Sequence, residues 1–127
     1  SVAPAAVTPE MLMPQRFGER IRKARKEKGL GLRATARDIG ISATFLSRIE
    51  SGKEDAVPRE EVIRKLAAIL DDDFDELMAL AGRVSQAVRN HVREDPQMPE
   101  FLRQVRERNI PAEELLEMLR KKKEGND

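Results

Sequence analysis

LRATARDIGISATFLSRIE, residues 32–50, carries two short apolar stripes of helical period separated by a glycine. Leu32, Ala36 and Ile39 fall at i, i+4 and i+7, the spacing of one helical face. Gly40 then ends the run, because glycine accepts the positive φ of a sharp turn. Ile41 follows as an apolar residue, and Ser42 can accept a backbone N–H bond and so cap a new helix over residues 43–51. Phe45, Leu46 and Ile49 form the buried edge of that helix, with Phe45 placed so that it could also turn its edge outward. The small Ala36 lets the two helices approach closely. Neither is long enough to persist alone, so both need packing neighbours.

The flanking sequence supplies them. Residues 16–29 set Phe17, Ile21 and Ala24 at helical spacing among charges, and Gly29 provides a left-handed stop. Beyond Gly52 and Pro58, residues 59–70 carry the stripe Val62, Ile63, Leu66, Ala67 and Leu70; Asp73 then caps a helix reaching Ala81, which buries Phe74, Leu77, Met78 and Leu80 before Gly82. Residues 16–82 thus read as five helices in one small globule. Residues 1–15, with Pro4, Pro9 and Pro14 among small side chains, show no helical or strand period and read as a flexible N-terminal arm. Residues 83–127 read as a C-terminal helical extension. There Val84, Val88 and Val92 share a stripe, prolines break the chain at 96 and 99, and two further amphipathic runs contain Phe101, Leu102 and Val105, then Leu115, Leu116, Met118 and Leu119. The expected class is all-α.

Composition narrows the function. A chain of 127 residues has room for one small domain and an extension. It contains no cysteine and a single histidine, His91, so neither a thiolate nor a histidine-rich metal site is expected. No catalytic Ser–His–Asp set, phosphate-cradling glycine loop or ligand cluster is present, so no enzyme activity, cofactor or metal is expected. Asp71, Asp72 and Asp73 read as a turn and a helix cap. No apolar run approaches the ~18 residues of a membrane span, and the expected location is cytoplasmic. Charge is distributed unevenly: residues 16–57 hold eleven Lys/Arg against six Asp/Glu, whereas residues 58–82 hold three against seven. A basic block beside an acidic one suits a protein that meets phosphates on one face.

The register of residues 32–50, closed by Glu50 and Gly52-Lys53, resembles the helix-turn-helix of the phage-repressor and Cro superfamily, the XRE family, over about residues 17–82. The resemblance implies a five-helix lambda-repressor-like DNA-binding domain whose third helix enters the major groove, where each base pair presents a distinct pattern of donors, acceptors and methyl groups. On that correspondence Ala43, Thr44, Ser47 and Arg48 read bases. Arg48 forks onto guanine, Thr44 and Ser47 donate or accept, and the Ala43 methyl meets thymine. Backbone phosphates fall to Arg33, Arg37, Ser42, Ser51 and Lys53, which position the protein without specifying sequence. Arg25 and Glu50 match a pair that forms a structural ion pair in related repressors. The chain departs from the family where Ser or Thr followed by Gln often starts the second helix, since Gly31 and Leu32 stand there. Thr35 likewise occupies a place where a larger apolar residue is common. Affinity is therefore expected to lean on Arg33, Arg37 and a second subunit.

The resulting expectation is a sequence-specific regulator of transcription, a repressor that binds double-stranded DNA at an inverted-repeat operator as a homodimer, nucleoid-associated when bound. Residues 83–127 would serve dimerisation or hold a protein partner. The alternative is an antitoxin-type protein that autoregulates its operon and grips its partner through those C-terminal helices.

Overall fold

The structure, a computed structural model, describes the backbone of residues 9–53 and 55–125 and the side chains of residues 16–53 and 55–125. The fold is all-α: among the described residues there are eight helices and no strand. They are α1 (Pro9–Glu27), α2 (Leu32–Ile39), α3 (Ala43–Glu50), α4 (Glu60–Leu70), α5 (Phe74–Leu80), α6 (Gln86–Glu94), α7 (Met98–Glu107) and α8 (Ala112–Gly125). The chain divides after Ser85 into two compact units.

In the first unit α1 packs against α3, α4 and α5, while α2 packs against α3 and α4, and α4 against α5. The shared core contains Phe17, Ile21, Ala36, Ile39, Leu46, Ile49, Ile63, Leu66, Leu70 and Leu77, all buried. Val62, Phe74 and Leu80, expected inside, are only partly buried and pack at the core margin. Caps set the helix limits. Ser42 Oγ accepts from Phe45 N at 3.0 Å, and an Asp73 carboxylate oxygen accepts from Glu76 N at 2.9 Å, so each satisfies a donor that would otherwise lack a partner.

The N-terminal limit differs from the sequence expectation. Residues 9–15 were expected in a flexible arm, yet the structure carries α1 back to Pro9. Proline suits a first helical position, where no N–H is needed, and Pro14 forgoes one backbone bond in the next turn without ending the helix. Residues 1–8 of that expected arm lie outside the described residues.

The second unit comprises α6, α7 and α8, with α6 packed on α7. Pro99 lies in the first turn of α7, and Asn109 ends that helix region with a left-handed φ of 54°. No residue of these three helices is buried. Phe101, Leu102, Leu116, Met118 and Leu119 are between 48% and 63% exposed, an unusual load of apolar surface for so short a segment. Among the described residues no helix is long and apolar enough to cross a membrane, and no group of three or more His, Cys, Asp and Glu side chains could hold a metal ion.

Candidate nucleic-acid interface

The turn between α2 and α3 is built as a left-handed stop. Gly40 takes φ 78°, and Ile41 N reaches back to Ala36 O at 2.9 Å, so the chain reverses within three residues. Ala36 is buried where α2 and α3 meet, and Ile41 is half-buried against the core.

Three further features fix how α3 lies. Leu46 and Ile49 anchor one edge in the core. Behind the helix, α1 approaches so closely that a Cβ at Gly18 would stand 2.3 Å from Ile49 O and 2.8 Å from Glu50 O. At the C-terminal end, Arg25 Nε and Nη2 donate to Glu50 at 2.7 and 2.9 Å, and Arg25 Nη1 donates to Leu30 O at 2.8 Å. Both partners of this pair are buried, and the bidentate geometry resists rotation of α3 about its own axis. The hydrogen bonds to Glu50 hold the Arg25 guanidinium above its ordinary pKa range, against the opposing effect of burial.

With those contacts made, the exposed side of α3 presents Thr44, Ser47 and Arg48, followed by Ser51 at the helix end. Ala43 is set apart from them, since it is half-buried and packs against the core; Phe45 is likewise half-buried against the core. On α2, Arg33 and Arg37 are both exposed and share a face by their i, i+4 spacing. Ser42 and Lys53 are exposed at the two ends of α3. Ser42 Oγ is used as an acceptor by its cap, which leaves its hydroxyl proton available. The Ser51 hydroxyl instead donates to Ser47 O at 2.8 Å. Gly31 begins α2 with no side-chain cap, and Leu32 is turned partly into the core.

Four residues of consequence escaped the sequence reading. Gly18 gives no local signal beyond a lone glycine in a helical pattern. Asp55 receives the Arg48 guanidinium, whose Nη2 donates to both carboxylate oxygens. Arg22 and Lys26, on exposed positions of α1, line a cleft with Leu32, Ser47 and Ser51. Their i, i+4 spacing was visible in sequence, but only the packing of α1 on α3 brings it beside the exposed face.

A short second helix set across a first and presenting small polar side chains and one arginine is the architecture of a helix-turn-helix DNA-binding protein. Residues 18–83, more than half the chain, match the family described as a helix-turn-helix domain, and the chain belongs to that family, of the XRE type. It is also similar to two proteins of Bacillus subtilis (strain 168). One is the uncharacterized HTH-type transcriptional regulator RghRB, 38% identical over 78 residues, which are 61% of this chain and 55% of the relative. The other is the HTH-type transcriptional repressor RghR, 40% identical over 70 residues, 55% of this chain and 51% of the relative. The chain spans about half the length of the curated relatives it matches.

Proposed function

We propose that this protein is a transcriptional repressor that binds double-stranded DNA as a homodimer at an inverted-repeat operator in the cytoplasm. The observation that carries the reading is the exposed Thr44-Ser47-Arg48 face of a helix locked from behind by Arg25–Glu50 and by the Gly18 contact. Rigid presentation matters because base edges are read by hydrogen bonds whose geometry tolerates little displacement. Arg48 carries the main base contact, Thr44 and Ser47 adjust it, and Ala43 contributes at most the edge of its methyl group. Arg33, Arg37, Ser42 and Lys53 hold phosphates. Arg22 and Lys26 extend that track along α1, and Ser51 joins it only if its hydroxyl leaves Ser47 O. The repressor name of one relative supports the direction of regulation.

The homodimer rests on the second unit. Its exposed apolar side chains call for a cover, and α8 has acidic residues Glu113 and Glu114 in its first turn and basic residues Lys122 and Lys123 in its last. Two copies of α8 laid antiparallel about a twofold axis place each acidic end beside a basic one, an arrangement that a second copy meets without further design. A heterologous protein partner would use the same apolar surface. Selection of bound duplexes from a randomised pool, followed by sedimentation with the recovered duplex, tests the whole reading. The expected result is an inverted repeat with half-sites about one helical turn apart, occupied by two chains. Failure to enrich any sequence, or a monomer at micromolar concentration both alone and on the recovered duplex, would contradict it.

A further inference from the structure

We infer that Asp55 sets the sequence specificity of this interface by positioning Arg48; the inference rests on the proposed base-reading role of that arginine. Arg48 Nη2 donates to both Asp55 oxygens, while no hydrogen bond engages its Nε or Nη1 among the described residues. Those remaining donors are the ones left to meet a base edge.

Lys53 N bonds Arg48 O at 3.2 Å, and Ala56 N bonds Lys53 O at 3.0 Å, which ties the loop to the end of α3. Ala56 and Pro58 are buried, and Arg83 donates to Pro58 O at 2.6 Å and to Val57 O at 3.1 Å. Asp55 is therefore a counter-ion whose flanking backbone is tied at Lys53 to the end of α3 and at Ala56 back to Lys53. Its side chain is 73% exposed and that of Arg48 47%, so the pair contributes little to folding stability. Its consequence falls on binding.

Two effects act in the same direction. An arginine already held in place loses less side-chain freedom when it meets its base, which favours the cognate site. The same carboxylate offsets the Arg48 charge and restrains the side chain from reaching phosphates, which are present on every sequence. Removing it therefore weakens the preferred complex and strengthens the indifferent ones. A counter-ion that merely competed for Arg48 would behave otherwise, because its removal would strengthen the cognate complex at least as much as the others.

The test uses the full chain, the duplex recovered by selection on the wild-type protein, and a shuffled duplex of the same composition. Asp55→Asn is expected to lower the ratio of the two affinities by about three- to ten-fold and to steepen the salt dependence on the shuffled duplex by about one. Asp55→Glu, which keeps the charge, is expected to recover part of the ratio. In an Arg48→Ala background, Asp55→Asn should leave the ratio unchanged within about two-fold, because its effect passes through the arginine. An unchanged or increased ratio in the single variant overturns the inference. So does an equal effect in the Arg48→Ala background, which would mark Asp55 as a general charge on the loop. Failure to recover any preferred duplex overturns the sequence-specific reading itself, and with it this inference, and is distinguishable from a recovered duplex to which Asp55 is indifferent.

Discussion

At Gly18 the usual rule of helix chemistry changes sign. Glycine inside a helix ordinarily costs about 0.5–1 kcal/mol relative to alanine, so Gly18→Ala would stabilise a free α1. Here the added methyl would meet the backbone oxygens of Ile49 and Glu50, which cannot move without displacing α3. The expected outcome is destabilisation by about 1–3 kcal/mol, as for overpacking in a filled core, read as a lower urea midpoint; equal or greater stability would contradict the close approach. Thr35 presents the opposite case. It is 2% exposed, and its Oγ1 finds no hydrogen-bond partner among the described residues, so a desolvated hydroxyl is carried where an apolar residue would suffice. Thr35→Val removes the orphaned group and retains the branched shape, and it should raise stability by about 1 kcal/mol in the same urea titration. Loss of stability would show that the hydroxyl is satisfied in solution. Of the two, Thr35 was open to sequence reasoning, since it stood out as undersized for its place, whereas Gly18 carried no indication of which helix would press against it.

Between elements, ion pairs join helices that are distant in sequence. Arg20 on α1 donates through Nε and Nη2 to Asp72 at 3.0 and 2.6 Å, just before α5, and Nη2 also donates to Glu76 on α5. The Arg20 hydrogen bonds hold the Asp72 carboxyl below its ordinary pKa range, outweighing the opposing effect of burial, and Asp73 N adds a further bond to Asp72 at 2.7 Å. A carboxyl depressed in the folded state contributes stability that is complete above its unfolded pKa, near 3.9, and is lost as pH falls through the folded value. The α1–α5 lock is thus expected to weaken in acid below about pH 4. Asp72→Asn should lower the stability at neutral pH and flatten its acid decline, which a series of urea titrations from pH 7 to about pH 2.5 would register. An unaltered pH slope would remove Asp72 from the account of acid stability. Of this lock the sequence disclosed the turn and the Asp73 cap, because those are local; Arg20 lies more than fifty residues from its partners, and no periodicity links them. The turn around Gly40 and the cap at Ser42 were readable for the same reason, since each is complete within a few residues. Ala43 was placed among the base-reading residues by correspondence with the family, a route that carries no information on burial; in the structure it is half-buried against the core.

For the whole molecule, the class of fold followed from apolar spacing, and residues 18–83 are the part whose family is established. The C-terminal helices were readable as amphipathic stripes, but an amphipathic stripe specifies that something must cover it and leaves the cover open. Sedimentation of the full chain at micromolar concentration is expected to show a dimer, with charge pairing between antiparallel α8 helices reflected in weaker association at high salt. A monomer throughout would leave those apolar faces to another partner. We assign the reading of sequence to one exposed arginine and the holding of phosphates to its neighbours, a division of labour in DNA binding. It is tested most directly by measuring affinity against salt for Arg48→Ala and Lys53→Ala on the selected duplex and on a shuffled one. A base-reading Arg48 requires that its removal lower the preference between the two duplexes by about 1–3 kcal/mol, whereas a phosphate-binding Lys53 requires that its removal weaken both alike and reduce the salt slope by about one. Sequence preference left intact in Arg48→Ala would contradict it.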